Sequence, residues 1–442
     1  MITREELVKR IVQSEVHVLN IDSIIFDKSL YSRTNGIDRN AVEDYSQNIA
    51  TMPPIVINQN HKIIDGVHRY HACLKANQKS MKAKQIELPD EDIKLANLLI
   101  DIQSGVRHPV QDKKALVVEL YDPQNTELNK MLMEELGVPQ NTFYRWTSQK
   151  RSLMQKQLNK AIAMDLLDPY LTQQEIADRN GYKSKSKISE FKDSLSSKIT
   201  NMVKIEHDEL QAADLDFLID YKKFIENDVL LYNIWNTGRG DNNSHFGHFP
   251  KLFMKNLLYY HTQPFDLIYD PFAGSGTTID ACREMFRQCI VSDLKPDKSR
   301  PEIFEHDITT GLPENLPKPD MVFLDPPYWI QARGKYSDSE KDLANMSLEN
   351  FYDAMDNLFK EIIKRKINKI ALVIQPTQYA NNFVFEDHIF EFDKMLQDKY
   401  KIEIRYILPY STQQYNAQMV EKAKTKGTCL VLHRDLVVWC LK

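Results

Sequence analysis

The chain has 442 residues, room for roughly two to four domains, and its 42% apolar and 27% charged residues are the balance of a folded globular protein and exclude a disordered or fibrous one. Its formal charge of −5 is mild, so a polyanionic partner would have to be met by a local basic patch and not by the surface as a whole. Cys73, Cys282, Cys289, Cys429 and Cys440 have neither zinc-finger nor redox-pair spacing, the start is amphipathic and charged, and no apolar run approaches the ~20 residues of a membrane span, so the expectation is reduced thiols, no metal, no membrane and a cytoplasmic protein.

Residues 16–118 mix short strands and helices. "PPIVINQN" and "HKIIDG" predict two strands joined by a polar turn around residues 58–60. "AVEDYSQNI", "RYHACLKAN" and residues 90–104 predict helices. The turn "DGVHR" is the specific element: glycine opens a helix whose free N–H groups suit an anion. With these residues the zone resembles the ParB/sulfiredoxin fold family. The resemblance implies phosphate contacts at Gly66, His68 and Arg69, a further one at Arg33 in "YSRTNGID", and CTP or ATP as the nucleotide. Val67 stands where sulfiredoxins have their cysteine, so reductase chemistry is not expected. Tyr70 replaces the second arginine of the partition proteins' turn. A domain that keeps the fold only to bind DNA or a partner therefore stays open beside nucleotide binding. Arg107 and His108 in "IQSGVRHP" either face a ligand or are structural.

Residues 119–200 are helical and punctuated. "TELNKMLMEELGVPQNTFYRWTSQK" reads helix, turn at Gly137-Val138, helix; "LTQQEIADRNGYKSKSKISEFKDSL" repeats the plan with its turn at 180–182. In each an apolar-periodic helix precedes a polar, basic one, the order of a helix-turn-helix whose second helix enters the major groove. Residues 141–200 carry 11 Lys/Arg against 6 Asp/Glu, a local excess of five positive charges. Candidate DNA contacts are Arg145 and Lys150 in the first unit and Lys183, Lys185, Lys187 and Lys192 in the second; lysines at phosphates fix register without reading sequence. Residues 201–225 are expected to be an acidic helical connector.

From about residue 226, strand-like runs ("LIYD", "CIVSD", "MVFLD", "IALVIQP", "IRYILP", "TCLVLH…LVVW") alternate with helical stretches, which predicts a doubly wound parallel sheet. In "DLIYDPFAGSGTTIDACREM" a strand ends in Asp270, a glycine-rich turn follows, and a helix opens at about Thr277. Gly274 and Gly276 let a ligand approach the backbone. The third glycine of a dinucleotide fingerprint is absent, and no lysine follows as in a P-loop. The next strand ends in Asp293, placed for ribose hydroxyls, and Asp307 sits where an adenine amine could be read. Then "FLDPPYW" closes a strand with an acid, two prolines and two aromatics. The prolines offer no N–H to a ladder, so the strand exits stiffly with a carboxylate, bare carbonyls and a ring face together.

Residues 228–442 thereby resemble the S-adenosylmethionine-dependent DNA amino-methyltransferases. "DPFAGSGTT" is similar to their cofactor loop, "DPPY" to their catalytic motif, and "HFGHFPKLFMKNLLYYHT" to the segment packed over the cofactor's methionine part. The resemblance implies cofactor contacts at Asp270, Phe272, Ala273, Gly274, Gly276, Thr277, Asp293, Asp307, His248 and Pro250, and catalytic roles for Asp325, Pro326, Pro327 and Tyr328. An acid in the first motif position tilts the target toward adenine N6 over cytosine N4. The expected architecture is α/β: an α+β ParB-like domain (1–118), an all-α helix-turn-helix module (119–200), the connector (201–225) and a Rossmann-like methyltransferase domain (226–442). The expected partner is double-stranded DNA, with a homodimer compatible. A stand-alone modification enzyme of a phage or mobile element is the expected setting, with an RNA methyltransferase or a non-catalytic ParB-like regulator as rivals.

Overall fold

Four strands and the helices around them organise the first part of the chain. The computed structural model describes residues 3–33, 36–103, 110–123, 125–236, 249–334, 341–378, 382–410 and 415–442. The chain divides into two compact units, Met1–Met154 and Gln155–Lys442, and the division falls inside the helix Gln140–Asp165. The expected helix-turn-helix segment, 119–200, thus spans both units.

In the first unit β1 (Val16–Asn20), β2 (Ile55–Asn58), β3 (Ile63–Asp65) and β4 (Ser80–Ile86) form a sheet of order β1-β4-β2-β3. β2 runs parallel to β4; the other pairs are antiparallel. Side chains of β2 alternate between two apolar clusters, Ile55 and Ile57 in one and Val56 in the other, so both faces are covered. The predicted β2, β3 and the helices Arg39–Gln47, Val67–Lys75 and Ile93–Gln103 are present. The sequence reading lacked β1 and β4. β1 is almost wholly exposed at an edge, and β4 interleaves Lys82 and Lys84 with its buried Met81, Ala83 and Ile86. The helix Thr126–Leu136 stops at Gly137 in the left-handed region, φ 60°, as its turn predicts, and Leu132, Leu136 and Phe143 bury the angle between it and the next helix.

In the second unit Thr172 and Glu175 cap the helix Gln173–Arg179 reciprocally, and the helix Ser186–Thr200 follows. Residues 201–225, expected as a connector, are instead part of a core: Leu210, Leu218 and Phe224 bury with Ile176, Leu195, Phe253 and Phe286. Their acidic residues face outward, and the apolar face between them supplies ~1.5–3 kcal/mol per buried side chain. The sheet of this unit has seven strands: β5 (Leu267–Asp270), β6 (Gln288–Asp293), β7 (Ile303–Glu305), β8 (Met321–Leu324), β9 (Lys369–Ile374), β10 (Tyr400–Pro409) and β11 (His433–Leu441), in the order β10-β11-β9-β8-β5-β6-β7. The expected all-parallel pattern holds for five of them, β9 to β7. β11 lies antiparallel between β9 and β10, because the chain leaving β10 turns back at the same end of the sheet. Residues 428–432, read as part of a strand, lie outside it. No helix among the described residues is long and apolar enough to cross a membrane.

Candidate active site

The chain leaves β5 toward β6 on one side and returns to β8 on the other, so the carboxyl ends of β5 and β8 flank a topological switch point, where open α/β sheets bind ligands. A cavity of about 490 Å³ opens there. Asp325, Pro326, Pro327 and Tyr328 line one side; Asp270, Phe272, Ala273, Gly274, Thr277, Asp293 and Asp307 line the other. The structure brings these expected residues together. Gly276 and Pro250 do not line the cavity, and His248 lies outside the described residues, as do Arg107 and His108.

The acids hold the loop as well as face the cavity. Asp270 is buried and accepts hydrogen bonds from the Phe272 N–H (2.8 Å) and the Thr278 hydroxyl (2.5 Å). Asp293 accepts from the N–H groups of Gly274 (2.9 Å) and Lys295 (2.9 Å). The loop is thus pinned from the ends of two neighbouring strands before any ligand enters. Gly276 has φ +85°, and a Cβ there would sit 2.9 Å from Cζ of Arg300, which is itself fixed to Asp280 (3.0 Å). Its missing side chain therefore admits Arg300, whereas Gly274 borders the cavity. Asp307 accepts from Thr309 and pairs with Lys341 at 3.0 Å, a cation of the cavity wall that sequence reasoning missed.

Burial dominates the electrostatics. It pushes Asp270 up to about 7, against its bonds from Thr278 and Phe272 and with help from Asp325 and Asp293. It raises Asp293 as well. It lifts Asp325 to about 6, while Arg434 and the Tyr328 hydroxyl, which donates to Asp325 at 3.2 Å, pull the other way. Three carboxyl groups reluctant to ionise around one cavity favour a cationic ligand. Arg434, at the start of β11, was also missed: "HRD" opening an apolar strand was the available signal, because a charge entering a buried strand needs a reason. Phe249, also missed, lines the cavity with its ring 5.2 Å from that of Phe323.

The expected DNA-contacting side chains are placed unequally. Arg145, Lys183, Lys185 and Lys187 are exposed, with Lys187 paired to Glu190 at 2.8 Å. Lys150 donates to the carbonyl of Glu119 at 2.6 Å, and Lys192 lies over the ring of Phe265 at 5.4 Å. In the first unit Gly66, with φ +95°, caps the helix Val67–Lys75. Arg69 pairs with Asp65 at 2.6 Å, Arg33 with Asp101 at 3.2 Å, and His68 accepts from the Asp38 N–H at 3.1 Å. Both arginines of the expected phosphate site are thus engaged by carboxylates.

A glycine loop and an acid-proline-proline-aromatic motif facing one cavity, at the carboxyl edge of a largely parallel sheet, define an enzyme of the methyltransferase class. The chain belongs to the DNA methylase family of N6/N4 type, whose model matches residues 49–301. That match takes in the glycine loop and ends before β8. No curated protein matches the chain. Solved structures similar to parts of it include TrmN from Thermus thermophilus, 12% identical over 43% of this chain and 49% of that one, TM-score 0.29. The chain thus spans about half the length of that relative. A methyltransferase from Archaeoglobus fulgidus described as SAM-dependent is 11% identical over 43% and 92%, TM-score 0.27. The truncated partitioning protein ParB from Caulobacter crescentus, complexed with CTP-gamma-S, is 16% identical over 47% and 99%, TM-score 0.19.

Proposed function

We propose that the protein transfers a methyl group from S-adenosylmethionine to the exocyclic amine of a base flipped out of duplex DNA, with adenine N6 the favoured target. The observation that carries this reading is the meeting of Asp325 and Tyr328 with the glycine loop around one carboxyl-lined cavity. The cavity fits that cofactor by its donor set: acids whose ionisation burial opposes would ionise against a sulfonium and an ammonium. Asp270, Gly274, Thr277, Asp293 and Asp307 would hold it, and it would supply an electrophilic methyl group.

The residues of this chain prepare the nucleophile. An exocyclic amine is a poor one because its lone pair is shared with the ring. Asp325 and the carbonyl of Pro326 each accept one amine N–H, which turns the nitrogen toward a pyramidal geometry and frees the lone pair. Tyr328 supplies the stacking face, worth ~1–3 kcal/mol, for a base that has left its duplex. Catalysis is then positioning and electrostatics, and the methylated amine sheds its proton afterwards. The basic helices of 119–200 serve as the duplex reader and residues 1–118 as a ParB-like domain binding DNA or a nucleotide.

The test is methyl transfer from labelled cofactor to mixed-sequence duplex DNA, read by nucleoside mass spectrometry, with Asp325→Ala alongside. N6-methyladenine that falls about 100-fold or more in the variant is the expected result. N4-methylcytosine would correct the base. No product on DNA, with DNA still bound, would overturn the reading.

A further inference from the structure

Arg434 is buried, 8% exposed, and among the described residues it forms no ion pair; its Nε has no hydrogen-bond partner. A buried cation without a carboxylate against it costs several kcal/mol unless something nearby answers it. The register explains where it points. β11 runs opposite to β9, Asp435 faces Ile374 at the last position of β9, and Arg434 faces Leu408 near the end of β10. Its Cα therefore stands at the edge of the sheet where Asp325 leaves β8. The guanidinium carbon lies 5.8 Å from the ring centre of Phe249 and 5.5 Å from that of Tyr410, two rings that exclude water from it. Its charge acts on Tyr328, whose hydroxyl donates to Asp325 at 3.2 Å. Tyr410 is itself fixed, donating to Gln375 at 2.9 Å.

We propose that Arg434 is a positioning residue: through Tyr328 and across the dry gap between Phe249 and Tyr410, its guanidinium keeps Asp325 as the charged acceptor that the target amine requires. The inference rests on the reading of Asp325 as that acceptor. The groups around Asp325 are few. Arg434 comes from β11, Tyr410 from the end of β10, Tyr328 from its own turn and Asp270 from β5. Arg434 is the one cation among these four, and Asp270 opposes it. Burial disfavours the arginine's own charge, while Tyr328, Asp325 and Tyr410 hold it protonated. The cation and the hydrogen bond from Tyr328 both favour the charged form of Asp325, and that bond holds the Tyr328 ring where a base would stack.

The experiment is the pH profile of single-turnover methyl transfer in the full chain for wild type, Arg434→Met and Arg434→Lys. Beside it runs a titration of the aspartate side-chain carbons by NMR, with Asp325→Asn identifying the Asp325 signal. In Arg434→Met the acid limb moves up by about one pH unit, so the rate falls about tenfold on that limb and recovers in alkali. Arg434→Lys, keeping the charge, retains most of the wild-type profile. A methionine variant slowed equally at every pH, with an unmoved Asp325 titration, overturns the proposal, since that is the mark of a packing residue. If the wild type transfers no methyl group the proposed function fails by itself, and the NMR titration still decides the role of Arg434. Should Arg434→Met not fold, the neutral but polar Arg434→Gln takes its place: an Asp325 titration moved up supports the proposal, and an unmoved one overturns it.

Discussion

At the scale of single residues, two acids set the pH behaviour. On the reading proposed above, Asp325 accepts an amine N–H best as a carboxylate, and burial holds it up to about 6, above the usual 3.8. Its charged form exists above that value, so transfer should be pH-independent in mild alkali and fall tenfold per unit below about pH 6 in single-turnover rates. Asp270, raised to about 7, should couple to the cofactor instead. A bound cation favours its charged form, so binding should release protons below about pH 7, and affinity should rise through that range and level off above it. Calorimetry in buffers of different ionisation enthalpy reads this; no proton release would detach Asp270 from the cofactor. The glycines make a third case. Gly276→Ala meets both a left-handed φ and Arg300, and should destabilise by ~1 kcal/mol or more. Gly274→Ala meets only its φ. Removing Arg300 should shrink the gap between the two in urea unfolding. The sequence signalled that both glycines matter, but it read a ligand into both, since nothing in "AGSG" marks the side chain that arrives from residue 300.

At the scale of elements, the motifs legible in the sequence are those where an unusual residue ends a regular strand. Asp270, Asp293 and Asp325 each close an apolar run, and each run is a strand: β5, β6 and β8. What escaped depends on pairing between distant segments. β7 has three residues, too few for a periodic pattern, and is recognisable only beside β6. Arg434 acquires its meaning from β11 lying antiparallel to β9, which no local pattern encodes. Arg287 is similar. It is buried after the helix Thr277–Glu284 and donates to the Thr262 hydroxyl (2.9 Å) and carbonyl (2.8 Å), tying down the end of the helix Lys251–His261. Arg287→Met should lower the stability of the second unit by about 2–3 kcal/mol, because it orphans buried carbonyls that charged donors had satisfied. An unchanged denaturation midpoint would show that water replaces the guanidinium.

At the scale of the molecule, a protein of mild negative charge carries a local basic excess, and the structure narrows which cations are free for a duplex. With Lys150 and Lys192 turned to a carbonyl and a ring and Lys187 paired with Glu190, the exposed Arg145, Lys183 and Lys185 are the testable set. Replacing all three by glutamine should flatten the dependence of log affinity on log salt by about 2–3, near 0.9 per lost phosphate contact, and leave the rate at saturating DNA unchanged. An unaltered slope would move the duplex to another face. The overall class was legible from composition and motif order; the core shared by residues 201–225 with the catalytic sheet was not, since acidic residues mask its apolar face. The strand order carries one more consequence, in time instead of space. β9 and β10 are synthesised before β11, yet β11 must lie between them. The sheet therefore cannot close while residues 433–441 are still in the ribosome, and Arg434 arrives with that strand. A nascent chain would display its glycine loop and DPPY motif long before the sheet behind them was complete, and its unpaired β9 edge through that interval is where misassembly would begin.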